Sequence, residues 1–200
     1  MPGKLIVIEG IDGAGGETQS KRLLDYFRSR KLPAERVYYP EYGKPVGDLI
    51  HDYLHKKHDL PVDVQFLLYA ADMVKDRDRI LAWLGQGKTV IADRYFTSVL
   101  AYQGMRGFPL ESGLRFAEIF RLPKPDAILF LKISPETSIK RKMGEKKDLD
   151  RNESDRKLHA QVSESYESLA KKQVWASWFV LDGEKSKEDV FGQIKKVLRL

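Results

Sequence analysis

A chain of 200 residues, 42% hydrophobic and 32% charged, is long enough for one domain with a substantial core. It contains no cysteine, which excludes disulfides, thiolate metal sites and a cysteine nucleophile. No apolar run approaches the roughly 18 to 20 residues of a membrane span, and the opening MPGKLIVIEG lacks a signal-peptide core, so a cytoplasmic protein with no membrane role is expected. The net charge of +6 is spread along the chain in mixed sign, without a basic stripe interleaved with aromatics. A small polyanionic ligand accounts for it as well as nucleic acid would, and no nucleic-acid partner is expected.

In chain order, Leu5 to Ile8 is a short β-branched run that reads as a buried strand. Gly10, Gly13, Gly15 and Gly16 follow, with Asp12 among them, and Gln19 to Arg30 carries Leu23, Leu24 and Phe27 at helical spacing. Strand, glycine-rich turn and helix together form a setting in which backbone N–H groups cradle phosphate. The nearest motif is G-x-x-x-x-G-K-[ST]: Gly10 and Gly15 fit, while Gly16 and Glu17 replace the lysine and the hydroxyl residue. The residues alone leave two readings open, a phosphate loop or a tight strand-to-helix turn in which Asp12 bonds its own backbone.

A second strand is predicted over Ala34 to Tyr39, stopped by Pro40, and then an amphipathic helix with Leu49, Ile50, Tyr53 and Leu54. Val62 to Leu84 reads as one long helix ended by Gly85 and Gly87. A third strand, Thr89 to Ala92, closes on Asp93 and Arg94. This charged pair is either a salt-bridged strand cap or a ligand site, because open α/β sheets bind at the carboxyl ends of their strands. Helices follow through Ala101 to Gly104 and over Glu111 to Arg121, then a fourth strand, Asp126 to Ile133, and a helix capped by Ser134. Lys140 to Lys157 holds eight basic and five acidic residues, the composition of a wet surface or of a basic lid over the glycine loop. A helix over Glu153 to Gln173, a fifth strand at Trp178 to Leu181 and a helix at Lys187 to Leu198 complete the chain. Apolar strands alternating with helices specify a three-layer α/β/α domain with a five-stranded parallel sheet.

Five stretches, taken in order, resemble the thymidylate kinases, nucleoside-monophosphate kinases of the P-loop class. They are EGIDGAG, YPEYGKPVG, FLLYAAD, the DRY and S-x-x-AYQG of Val90 to Gly104, and Pro135 to Glu153 ending LDRNE. The resemblance covers nearly the whole chain and implies a single kinase domain, 1–200, with a mobile basic lid at about 141–153. It implies Mg²⁺-dependent transfer of the ATP γ-phosphoryl group to dTMP, and a homodimer formed through the helices around Phe66 and Phe116. By the same resemblance Gly10, Gly13, Ala14, Gly15, Gly16, Glu17 and Thr18 hold ATP, and Asp12 lies near the transferred phosphate. Arg94 holds the dTMP phosphate and Tyr69 stacks on thymine. Ser98, Tyr102, Gln103 and Tyr42 complete the acceptor site, and Asp93 organises Mg²⁺ through water.

Departures from the family pattern are Gly16, Glu17, Met73 where an arginine usually reaches thymine, Tyr42 where many members have an arginine, and Lys132 in place of an acidic residue. Glu17 is expected to bind Mg²⁺ directly, as a hard carboxylate does. The charge missing from the loop is expected from the lid, through Arg141, Lys142, Lys147 and Arg151. The rival readings are a kinase of another nucleoside monophosphate and a nucleotide-binding pseudokinase.

Overall fold

The computed structural model describes residues 3–145, 150–152 and 156–200. Five apolar runs form strands β1 (Leu5–Glu9), β2 (Ala34–Tyr38), β3 (Thr89–Asp93), β4 (Ala127–Lys132) and β5 (Trp178–Asp182). All pair in parallel, in the order β2-β3-β1-β4-β5, giving the expected five-stranded sheet. Parallel strands covered on both faces carry continuous rather than alternating apolar residues, and every residue of β1 is buried. At the sheet edge the constraint relaxes: Val180 of β5 is 56% exposed.

The helices are α1 (Gly16–Ser29), α2 (Pro45–Leu54), α3 (Val62–Val74), α4 (Arg77–Gly85), α5 (Phe96–Gly104), α6 (Leu110–Ile119), α7 (Pro135–Glu145), α8 (Arg156–Lys171) and α9 (Lys187–Leu198). α1 packs on α9, while α5 packs on α3, α6 and α8. Ile8 lies opposite Asp93 in the β1–β3 register. The carboxyl ends of these two strands are therefore level, and the glycine loop after β1 meets Asp93 and Arg94 after β3. Their onward connections leave in opposite directions along the sheet, which opens a crevice at this end.

One expectation changes. The long helix over 62–84 is two helices, broken at Lys75 and Asp76. There Lys75 Nζ is drawn to Glu41 Oε2 and Asp76 Oδ2, both at 2.8 Å, and Tyr39 donates its hydroxyl to Asp76 Oδ2 at 3.0 Å. A local polar cluster, invisible to an apolar periodicity, offsets the two helices. Phe66, on one of the helices through which a homodimer is expected, is 2% exposed, stacked on Phe108 at 3.9 Å and edge-on to Phe116 at 5.2 Å.

Ser134 caps α7 as expected, its Oγ accepting from the Thr137 N–H at 3.1 Å. Of the expected lid, residues 146–149 and 153, Lys147 among them, lie outside the described residues, as does the start of the helix expected from Glu153.

Phe130 of β4 is 1% exposed and stacked on Tyr166 of α8 at 5.3 Å. Phe130→Ala is expected to cost about 3 to 5 kcal/mol, as cavity-forming aromatic deletions do, measured by urea unfolding. A loss below about 1 kcal/mol would mean that this layer collapses freely around the gap.

Candidate active site

The loop from Gly10 to Gly15 folds over the end of β1, and Gly15 takes a left-handed φ of 96° as the residue before α1. A side chain there would be strained, and glycine is not. The helix begins at Gly16, three residues before the predicted Gln19, so the unpaired N–H groups of its first turn join the loop's own and point partial positive charge outward. Gly16 serves a second purpose: a Cβ there would lie 2.6 Å from Asp93 Oδ1, so its absence lets that carboxylate touch the loop.

Glu9, which the sequence reading passed over, ends β1 and is 1% exposed. Its Oε1 accepts from the Tyr95 N–H at 3.1 Å and from Thr97 Oγ1 at 2.6 Å. Its Oε2 accepts from Ser98 Oγ at 2.5 Å and from Tyr166 OH at 2.9 Å. An acidic residue closing a run such as LIVIE was the available signal. Burial pushes its carboxyl above the usual range, against the opposing pull of Ser98, Thr97, Arg94 and Tyr166. The Ser98 hydroxyl, expected at the acceptor, is thus committed to Glu9, though Ser98 does line the cavity.

Arg94 stands at a left-handed φ of 64°, a conformation that costs a non-glycine residue about 1 kcal/mol or more and is found where a side chain must be aimed. Its Nη1 donates to Gly10 O at 2.9 Å and its Nη2 to Asp12 Oδ1 at 2.6 Å, which brings together two residues predicted from separate motifs. Tyr102 lies under the guanidinium, 5.7 Å from ring centre to Cζ. On the next strand Arg36 reaches Asp93, and this arginine too went unremarked in the sequence.

A cavity of about 740 Å³ connects these groups. The loop, Asp93, Arg94 and Lys142 line one part, and Tyr69, Met73, Ser98, Tyr102, Gln103 and Tyr42 another. The size and the mixture of aromatic wall with many polar and charged groups suit a small organic anion. Gln103 is 2% exposed, and its Oε1 has no hydrogen-bond partner among the described residues. Burial holds the Tyr69 and Tyr102 phenols well above their usual range, so both stay neutral. Tyr42 sits at the mouth, its ring edge-on to His51 at 5.6 Å.

The lid arginines stand elsewhere. Arg141 donates to the backbone oxygens of Gly13 at 3.1 Å and Gly183 at 3.0 Å, bracing the loop. Arg151 pairs with Asp59 at 2.7 Å and lies over the Tyr53 ring, against the α2 end of the molecule. Behind the loop, Ser138 Oγ donates to Asp12 O and bonds His159 Nδ1 at 2.7 Å, and His159 Nε2 meets Asn152 O at 2.8 Å. This relay ties residues 150–152 to the loop.

The thymidylate kinase family model matches residues 8–194. The thymidylate kinase of Carboxydothermus hydrogenoformans is 33% identical, over 99% of this chain and 98% of that one. That of Homo sapiens is 36% identical over 70% of this chain and 65% of its own length. The solved structure of thymidylate kinase from Candida albicans superposes with a TM-score of 0.78 at 26% identity, covering 99% of this chain and 92% of that one.

Glu9 gives a pH dependence. The folded chain keeps the Glu9 proton longer than the unfolded chain does. Its contribution to stability is therefore complete below the ordinary carboxylate value of 4.5 and is lost as pH rises through the higher folded value. Thermal unfolding of the chain and of Glu9→Gln should show a difference that moves in favour of the variant as pH rises above 4.5. A difference that stays flat would mean that Glu9 ionises as readily in the fold as in the open chain.

Proposed function

The chain belongs to the thymidylate kinase family, and from that premise we infer that it is a phosphotransferase carrying the γ-phosphoryl group of ATP to dTMP, giving dTDP for nucleotide biosynthesis. The observation that carries this reading is the single cavity in which a phosphate loop and an aromatic pocket face each other across Arg94 and Asp12. Gly10, Gly13, Ala14, Gly15, Gly16, Glu17 and Thr18 take the ATP phosphates on backbone N–H groups. Tyr69 stacks on the acceptor base, worth about 1 to 3 kcal/mol, and Gln103 Oε1 accepts from the base edge.

In the reaction a dTMP phosphate oxygen attacks the γ-phosphorus, the bond to the β-phosphate oxygen breaks, and ADP leaves. An ionised acceptor needs no strong general base, so the protein's task is to position and neutralise. Arg94 is already aimed, a planar fork held by Gly10 O and Asp12 at the boundary of the two halves, suited to bidentate grip on phosphate. Asp12 keeps that fork in register. Tyr102 backs it, Tyr42 closes the mouth, and Ser98 acts through Glu9 rather than on the acceptor. Arg141 steadies the loop backbone. Arg151 reaches phosphate only by leaving Asp59.

Mg²⁺, when bound, neutralises charge on the triphosphate. Among the described residues no group of three or more His, Cys, Asp or Glu could hold a metal by itself. The protein's share falls to Asp93 and Glu17, hard oxygen donors; burial raises the Asp93 carboxyl against the pull of Arg36 and Arg94, and nearby Glu17 adds to the rise. The remaining ligands are phosphate oxygens and water, the usual arrangement for this ion.

We further propose one domain over 1–200 with the basic 141–153 segment as its lid, reached in the described residues by Lys142, Asp150 and Asn152 on the cavity wall. A cytoplasmic homodimer completes the reading. No helix among the described residues is long and apolar enough to cross a membrane. The supporting surface is not Phe66 but its exposed neighbours Val64 and Leu67 on α3, with Ile119 of α6 at 64% exposure.

ADP production from Mg·ATP is expected with dTMP in preference to dUMP, UMP, CMP and AMP. Arg94→Met should lower kcat/KM for dTMP by about a hundredfold or more. A chain that binds both nucleotides without turnover would instead be a pseudokinase. In sedimentation, Leu67→Glu/Ile119→Glu should convert a dimer into a monomer. An unchanged dimer would place the interface on another face.

A further inference from the structure

A lysine directly after Gly15 would bring a positive charge to the β- and γ-phosphates, and this loop has Gly16 there. The direction its side chain would take is filled by Asp93, whose Oδ1 lies 2.6 Å from a Cβ built on Gly16. The other carboxylate oxygen, Oδ2, accepts from Arg36 Nη2 at 2.7 Å, and Arg36 Nε donates to Ser20 Oγ at 2.7 Å. Ser20 belongs to α1, the helix that begins at Gly16. Arg36 comes from β2, where it pairs with Ile91, two residues before Asp93. The guanidinium is thus pinned between the end of β3 and the loop's own helix, with its side chain 13% exposed. It lines the same cavity as Gly16 and Glu17, and its Nη1 makes no hydrogen bond among the described residues.

Of the other cations near the loop, Lys142 lines the same cavity from α7, and four more are placed for different work. Arg94 is held by Asp12 on the acceptor side. Lys21 is tied to Glu17 at 2.6 Å with a side chain 59% exposed. Arg141 and Arg151 are bonded to backbone oxygens and to Asp59. We propose that Arg36 is the residue that replaces the phosphate-loop lysine: it holds Asp93 against Gly16 and presents Nη1 to the donor triphosphate. The charge has moved from the loop to β2, on the far side of β3, and glycine at 16 is what makes room for the carboxylate that orients it. This assignment rests on the reading of the loop as the ATP site.

The test compares ATP affinity in the presence of Mg²⁺, dTMP affinity and turnover in the full chain and in Arg36→Met, Arg36→Lys, Gly16→Lys and Gly16→Lys/Arg36→Met. Arg36→Met should weaken ATP binding and kcat/KM for ATP by about a hundredfold, the loss typical of one preorganised charge donor, with dTMP affinity unchanged. Arg36→Lys should recover much of the loss. Gly16→Lys alone should bring no gain, because Asp93 bars its way, whereas in the Arg36→Met background it should restore at least about tenfold by pairing with Asp93 itself.

Equal loss of ATP and dTMP binding in Arg36→Met would make Arg36 a structural clamp and overturn the assignment. So would a Gly16→Lys gain of the same size in both backgrounds. An unaltered chain without ATP affinity overturns the donor-site reading and the assignment with it. One that binds ATP and is indifferent to Arg36→Met overturns the assignment alone.

Discussion

A carboxylate buried at the end of the central strand must find donors, because leaving it unsatisfied in the interior costs far more than folding can spare. Glu9 finds them in the Tyr95 N–H, Thr97 and Ser98 at the start of α5 and in Tyr166 on α8. That one requirement docks two helices onto the carboxyl end of the sheet. It also sets the pitch of α5, which carries Tyr102 and Gln103 to the acceptor half of the cavity. The residue just before α5 on the strand side, Arg94, is left in a left-handed conformation with its side chain turned back to Gly10 and Asp12. A network buried for stability thus aims the guanidinium of Arg94 into the cavity.

Around the phosphate loop the charges are arranged in pairs. Asp12 faces Arg94, Asp93 faces Arg36, and Glu17 faces Lys21. The first two pairs are largely shielded from water, so each arginine stays in a fixed place before any ligand arrives. Lys21 and Glu17 are solvent-exposed, and such pairs contribute little and move readily. Preorganised charge is the chief resource of a phosphoryl-transfer enzyme. The two shielded pairs therefore offer fixed charge beside a loop that has glycine where its class has lysine, and the exposed pair does not.

Much of the site was legible from the residues. Glycine spacing located the loop, the DRY and AYQG stretch located Arg94, Tyr102 and Gln103, and all line one cavity. The misreadings share a cause, which is that local pattern carries no information about distant partners. The helix over 62–84 kept its apolar period yet breaks where Lys75 meets Glu41 and Asp76. The partner of Arg151, Asp59, was equally hidden, since it lies far from the basic run in sequence.

The sequence by itself determined the order of strands and helices, the parallel sheet and the phosphate loop, because each rests on periodicity and backbone freedom within a few residues. Only the tertiary structure decided which charges meet. Arg36 stands 57 positions from Asp93, and Asp12 stands 82 from Arg94. Those pairings arise from strand register, the β2-to-β3 alignment in one case and the level ends of β1 and β3 in the other. Register is set by how whole faces of the sheet pack, so the glycine in the lysine's place was visible in one line of sequence and the Arg36–Asp93 pair beside it was not.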